Sequence, residues 1–409
     1  MTIEDFTRND DKAKEIIMGS DIIVIERNYF SDTLVTMMYY KVRGKTLIGI
    51  FDDAYDLIEP ENPAYTYWHQ SKADMVGEDG VEHPVTLFPY VADMFVWGIQ
   101  LVKAVQMPST VLAADWAKFA DTIYVPNYIE TEKYLDVKPL FPHEPDEIYL
   151  GWAGSLSHFR SFEDTQILRA LKHVLRKHDN VKLLLAGDRR VYDAIDISPK
   201  RKMFSPFVPE EDFPRLLKSF DVAFAPLDNR PFDKRRSRIK VLEYMALQVP
   251  WIASDNPTYN EFKDMGLGMF AEANWQSWEE KLEYAIDNVV RLKEEAKLKP
   301  FEYAMTQSYD ANIGKTLDLY RQLIQMPYHG YYQPFVPALA PKPQEFPVPI
   351  LVPTKKINAP VAKKEELAEK EAKAKELEER KKKAEALKKK FAPPEQKPLS
   401  KFELQNFKR

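Results

Sequence analysis

No cysteine occurs anywhere in the chain. Disulfides, zinc-thiolate centres and cysteine nucleophiles are thereby excluded, and the redox compartment stays open. Glycine is scarce, at 13 of 409 residues, and no Walker or Gly-x-Gly-x-x-Gly run is present, so phosphate recognition by such a loop is excluded. No apolar run approaches the roughly 18–20 residues that a membrane-spanning helix needs. The first residues, MTIEDFTRNDDKAKE, are polar and acidic and do not form a secretory signal. These absences predict a cytoplasmic protein with no transmembrane segment. Histidine is also sparse. His69 and His83 are the only two in the first 140 residues, and their separation fits no local metal-ligand spacing, so both read as surface or packing residues.

Charge is abundant but divided. Residues 341–409 hold 19 Lys and Arg against 11 Asp and Glu, a net of +8. The whole chain stands at −5, so the preceding 340 residues stand at −13. An acidic body does not wrap nucleic acid. The basic tail is a candidate for an acidic partner.

The body reads as α/β. Apolar runs at 21–27, 44–53 and 121–127 have the character of buried parallel strands. Helices are expected at 32–43, 89–103 and 110–118, the last behind Ser109-Thr110, which fit a helix N-cap. The alternation restarts after PLFPHEPDE with strands in EIYLGWAGS, VKLLLAGD, DVAFAPL and VPWIAS. Helices are expected over 161–178, 210–220, 237–247 and 301–324. This predicts a first domain over 1–140, a second over 148–300, and a helix at 301–326 packing back toward the first. A Pro-rich linker follows at 327–360, then a Lys/Glu-rich helical or disordered tail at 361–409.

The segment 221–254, DVAFAPLDNRPFDKRRSRIKVLEYMALQVPWIAS, concentrates the chemistry. Lys234, Arg235, Arg236, Arg238 and Lys240 crowd the start of a helix expected near Ser237. A helix N-terminus carries partial positive charge and favours anions, so cations there are locally unfavourable. An external diphosphate neutralises both. Glu243, one turn beyond Lys240, can then accept two hydrogen bonds from a ribose diol. The alternative is a solvated basic loop with Glu243 paired to Lys240 or Lys234. Asp52, Asp53 and Asp56 in DDAYD follow a strand, which separates them from the all-helical enzymes that use Asp-Asp-x-x-Asp. They read as lining a cleft at a strand's carboxyl end, or as a cap and turn. His158, with Arg160 near it, reads as a phosphate or sugar contact, or as a loop histidine. SRIK fits Ser-x-x-Lys, but the motifs that accompany it in acylating enzymes are missing.

Taken whole, the segment resembles the donor-binding segment of retaining GT-B glycosyltransferases, family 4-like, the glycosyl transferases group 1. The matching residues are Ala225-Pro226-Leu227, Pro231-Phe232, Ser237, Lys240, Glu243-Tyr244, Leu247, Val249-Pro250 and Ala253-Ser254. GWAGSLSHFRSFED, VKLLLAGD and FSPFVPEEDFPRLLKSFDVAFAPL extend the likeness over about 150–255. DIIVIERNY, IFDDAYDLIEPENPAY and STVLAADWAKFADTIYVPNYIE carry it more weakly through 21–130. The resemblance implies two Rossmann-like parallel-sheet domains, the first abbreviated, since only about 20 residues precede DIIVIER. It implies a nucleotide-diphosphate sugar as co-substrate, transfer with retention, and no essential metal or other cofactor. Arg236 and Lys240 would hold the diphosphate, Gly154 and Ser155 would let the turn approach it, and Glu243 would hold the ribose. Phe207 and Val208 would frame the base, and Asp233 falls where that branch has Asn. The family's paired acid, eight residues before the glutamate, falls on Arg235, and a glycine of the branch falls on Gln248. The acceptor is open: a glycan, a protein or a modified nucleic acid. A catalytically degenerate protein that binds nucleotide or glycan, tethered by its basic tail, is the other reading.

Overall fold

The computed structural model describes residues 3–8, 10–27, 31–77, 80–142 and 144–326. The expected Pro-rich linker and charged tail lie outside the described residues. Two parallel sheets organise the rest. The first is built from β1 (Ile22–Glu26), β2 (Thr46–Ile50), β5 (Ala104–Met107) and β6 (Thr122–Tyr124), in the order β1-β2-β5-β6. The second holds β7 (Ile148–Gly154), β8 (Val181–Gly187), β9 (Lys202–Ser205), β10 (Val222–Ala225), β11 (Trp251–Ser254) and β12 (Met269–Ala271). Its order is β12-β11-β10-β7-β8-β9, the doubly wound arrangement in which the strand order reverses between the parallel neighbours β7 and β10. Ligands of such sheets bind in the crevice outside the strand ends at that reversal.

The strands form where both faces can be buried. Along β7, Tyr149 and Ala153 join one apolar cluster, and Leu150 and Trp152 join the other. In β8 the same division separates Leu184 and Ala186 from Leu183 and Leu185. Burying a Leu or Val fully stabilises by roughly 1.5–3 kcal/mol, so a run buried on both faces holds its register firmly. The first sheet is covered on one face by a cluster including Phe51, Phe95 and Trp116. Its other face receives the helix Tyr309–Gln325, whose Leu323 packs with Ile48 and Ala104. Tyr320 donates to Gln106 Oε1 at 2.5 Å, and Lys103 donates to the Ile324 carbonyl at 3.2 Å.

Several elements depart from expectation. The helix expected over 161–178 is two helices, Phe159–Asp164 and Ile167–Lys177. Thr165 turns its hydroxyl back to the Ser161 carbonyl at 2.5 Å, and Gln166 adopts a left-handed φ of 60°. The helix expected over 301–324 is likewise broken, into Lys299–Thr306 and Tyr309–Gln325. Ser308 caps the second of these by accepting from the Ala311 N–H at 3.1 Å. The helix near 89–103 ends at Leu101, and β5 follows almost at once. An antiparallel hairpin, β3 (Lys72–Val76) with β4 (Glu82–Thr86), was not anticipated. Ser109 does cap the helix Thr110–Trp116.

The helix Ile239–Ala246 starts two residues after Ser237, whose Oγ accepts from the Ile239 N–H at 3.2 Å. It ends in a Schellman turn. Val249 N–H donates to the Tyr244 carbonyl at 2.9 Å, and Gln248 N–H to that of Met245 at 3.0 Å. Gln248 takes φ 57° to close it. A side chain in that conformation costs about 1–2 kcal/mol, partly offset in a glycine variant by the greater freedom of the unfolded chain. Gln248→Gly is therefore expected to stabilise the protein by about 0.5–1 kcal/mol, read as a higher thermal midpoint. A lower midpoint would show that the Gln248 side chain contributes more than its backbone strain costs.

Candidate functional site

The crevice between the carboxyl ends of β7 and β10 is floored by two glycines. Gly154 ends β7 beside Gly187, which ends β8. A Cβ on Gly154 would lie 2.4 Å from the Trp152 ring and 3.0 Å from Lys240 Nζ, and one on Gly187 would lie 2.2 Å from the Gly154 carbonyl oxygen. Only bare backbone fits here. The helix Ile239–Ala246 points its N-terminus at this floor, and Lys240 Nζ donates to the Ala153 carbonyl.

Arg236 sits just ahead of that helix and is almost fully buried. Its Nε donates to Asp233 Oδ1 at 2.8 Å. One Nη donates to the Ser157 hydroxyl at 2.8 Å and to its carbonyl at 3.2 Å. The other lies 3.5 Å from His158 Nε2 and 3.9 Å from Asp53. Asp233 is the hub of the loop. Its second oxygen accepts from the Ser161 hydroxyl and from the Asp228 N–H, and Arg230 stands 3.8 Å away. Asn256 donates to the Asp228 carbonyl at 2.6 Å, and Ser254 Oγ accepts from the Leu227 N–H at 2.8 Å, which ties the loop to the end of β11.

Burial sets the protonation of the cluster. It holds His158 well below the usual histidine range, with Arg236 and then Lys240 adding to the effect. His158 is therefore a neutral buried ring, not the loop histidine of the alternative reading, and its Nδ1 has no hydrogen-bond partner. Burial lowers the Lys240 pKa, against the pull of Glu243. It raises that of Glu243, against the hydrogen bond from Tyr134 and the charge of Lys240. Burial thus draws both groups toward neutrality. Glu243 Oε1 accepts from the Tyr134 hydroxyl at 2.9 Å, and Tyr134 lies on a single turn, Thr131–Tyr134, between the domains.

Of the residues singled out in the sequence, Arg236, Lys240, Glu243, Gly154, His158, Asp233 and Asp53 converge. Ser155 is at the rim, its hydroxyl 2.9 Å from that of Ser157. Asp52 turns aside to Arg27 at 3.3 Å and accepts from the Tyr55 hydroxyl at 2.5 Å. Arg160 does not assist His158. It pairs with Glu61 at 2.9 Å and Asp164 at 3.5 Å. Phe207 is 66% exposed at the crevice edge, and Val208 packs into the core. Ser157, Ser161, Tyr134 and Asp228 went unrecognised, since nothing in their local sequence marks them.

The loop also reaches the first domain. Phe232, 7% exposed, belongs to that domain's apolar cluster with Phe51, Phe95 and Trp116. Arg235 pairs with Asp115, Arg230 with Glu59, and Asn127 donates to Ser237 Oγ at 2.9 Å. The position where the family places an acid thus holds a cation directed across the cleft.

Asp53 is 32% exposed, on the wall of a half-open cavity. Burial pushes its carboxyl up to about 6, with Arg236 opposing and Asp52 and Asp233 reinforcing. The folded state then binds a proton that the unfolded state releases near pH 4, so this group's contribution to stability is lost as pH rises from about 4 through 6. The thermal midpoint of Asp53→Asn minus that of the parent should therefore grow between pH 4.5 and pH 7. A constant difference would place the Asp53 titration at its ordinary pH.

Residues 147–288 match the family model described as "Glycosyl transferases group 1". No curated protein matches the chain. Among solved structures the fold is similar to that of TarM, with TM-score 0.52 and 13% identity, over 77% of this chain and 57% of TarM. The chain thus spans little more than half the length of that neighbour. It is similar to a glycosyltransferase from Rickettsia africae ESF-5, with TM-score 0.52 and 13% identity, over 79% of this chain and 82% of that one. HepE of Anabaena, solved with UDP and glucose, gives TM-score 0.50 and 14% identity over 75% and 81%. A TarM variant from S. aureus was solved with Fondaparinux, alpha-GlcNAc-glycerol and UDP. At these identities the likeness is one of fold, and that fold is GT-B.

Proposed function

We propose, from the match of residues 147–288 to the glycosyl transferases group 1 model, that the protein transfers a sugar from a nucleoside-diphosphate donor to a hydroxyl acceptor, with retention at the anomeric carbon. One observation carries the reading: a buried guanidinium, a buried amine and a helix N-terminus converge on a glycine floor where the strand order reverses. A diphosphate would be held by the cations Arg236 and Lys240 and by the N–H groups of the helix N-terminus. Its arrival favours the ammonium form of Lys240, against the effect of burial, and gives the His158 Nδ1 a candidate partner. Glu243 then exchanges the Tyr134 hydroxyl for the ribose diol.

The chemistry is electrostatic. The bond from the anomeric carbon to the diphosphate oxygen breaks, and the diphosphate leaves with the electron pair. Arg236, Lys240 and the helix N-terminus stabilise that charge, without recourse to a metal ion. The acceptor oxygen bonds to the same face of the carbon, and its proton passes to the departing diphosphate, the base nearest that face. The arrangement of Asp233 and Ser157 holds the Arg236 fork in place, so its geometry is preset.

A second reading rests on Arg235. With a cation paired to Asp115 where the family has an acid, the crevice binds a nucleotide sugar without turning it over. Donor hydrolysis separates the two, because an active transferase leaks sugar to water and a binder does not.

Calorimetric titration of UDP, GDP and ADP tests the site itself. One nucleotide should bind, and Glu243→Ala should weaken it at least tenfold, the loss of one or two hydrogen bonds to a charged acceptor. Arg236→Ala should weaken the diphosphate while leaving the nucleoside unchanged. Failure of all three nucleotides to bind would remove the donor site.

A further inference from the structure

Beyond the ends of β1 and β2 the first domain opens a cavity of about 550 Å³. That volume lies in the range of small-molecule sites. Glu26 and Arg27 enter it from the end of β1, Asp53 from beyond β2, and Tyr67 and Trp68 from the helix Tyr65–Gln70. Ser157 closes it from the second domain, and the same Ser157 holds Arg236 at 2.8 Å. The cavity therefore abuts the guanidinium assigned to the diphosphate.

Its lining has two properties. The first is an aromatic corner. The rings of Tyr67 and Trp68 meet at 88° with centroids 5.4 Å apart, and Tyr55 stacks on Trp68 at 4.2 Å, fixing its plane. Aromatic faces carry negative quadrupole and attract polarised C–H groups, and a rigid aromatic corner presents that surface with little entropy to lose. Burial raises the Tyr67 hydroxyl pKa to about 12, so it stays a neutral hydrogen-bonding group. The second property is charge. The cation Arg27 is engaged by Glu26 at 2.8 Å and Asp52 at 3.3 Å. An anion entering the cavity meets the carboxylates of Glu26 and Asp53, and among the described residues of the wall the cation, Arg27, is already committed to carboxylates. Hydroxyl groups meet those carboxylates as acceptors.

We infer that this cavity receives the acceptor, and that the acceptor presents an uncharged sugar ring, seated against Tyr67 and Trp68 with its hydroxyls toward Glu26 and Asp53. Only the word acceptor rests on the glycosyl-transfer reading. The selectivity of the cavity stands on its own lining.

The test is titration of the full chain with uncharged methyl glycosides of glucose, galactose, mannose and N-acetylglucosamine, each beside its phosphorylated or uronic-acid counterpart. Binding is followed by saturation-transfer NMR, with nucleotide titrations on the same samples. At least one uncharged glycoside should bind, and better than its anionic counterparts. Tyr67→Ala should weaken it roughly tenfold with nucleotide affinity unchanged. Glu26 is largely exposed, so Glu26→Gln keeps the fold. It removes one of the two carboxylates on Arg27, leaving Asp52, and should improve binding of the phosphorylated glycosides several-fold. Preference for the anionic forms, indifference to Tyr67→Ala, or no glycoside bound by a sample that binds nucleotide overturns the inference while the donor site stands. Glycoside binding without any nucleotide binding overturns the donor reading and leaves the cavity's sugar selectivity in place.

Discussion

A permanent cation held away from water organises this molecule. Arg236 cannot shed its proton, so the chain must surround it with acceptors or forgo the charge altogether. Asp233 and Ser157 supply most of them, and the rest of the loop exists to hold Asp233 still. Ser161 reaches it from the helix after β7, and Asn256 and Ser254 secure the preceding turn from the end of β11. Three strands and a helix thus converge on one side chain. The glycine floor and the helix N-terminus take their meaning from it, because together they leave room beside its guanidinium and Lys240.

What the sequence disclosed follows from how far apart the cooperating residues lie. Arg236, Lys240 and Glu243 belong to one helix start, and their spacing alone placed them together. Asp53, Asp115 and Tyr134 come from the first domain or the connector, more than 100 residues away in sequence for the Tyr134 and Asp115 contacts. No local pattern brings them in. The same holds for the fold. Strands buried on both faces, such as β8, announce themselves as continuous apolar runs. The strand β5 follows a helix after only two residues and reads as its continuation. Thr165 and Gln166 carry no strong breaker signal, so the interruption there comes from tertiary contacts.

The cavity of the first domain was the least visible feature. Tyr67 and Trp68 are unremarkable in sequence, where aromatic pairs usually signal core. Their significance arises only when β1, β2 and the second domain enclose the space beside them. Asp52 and Asp53 illustrate the point at single-residue scale. They are neighbours in the chain, yet one stabilises Arg27 inside the first domain and the other faces Arg236 from across the cleft.

Phe232 lies in the sequence of one domain and in the apolar core of the other. The covalent boundary between the halves is therefore not the boundary between their interiors. A chimera that kept residues 1–140 and borrowed a second half from elsewhere would inherit a void among Phe51, Phe95 and Trp116 unless the donor carried an aromatic at the same place. Inheritance of the two halves is in this sense linked: the loop must suit the domain it plugs as well as the domain that encodes and anchors it.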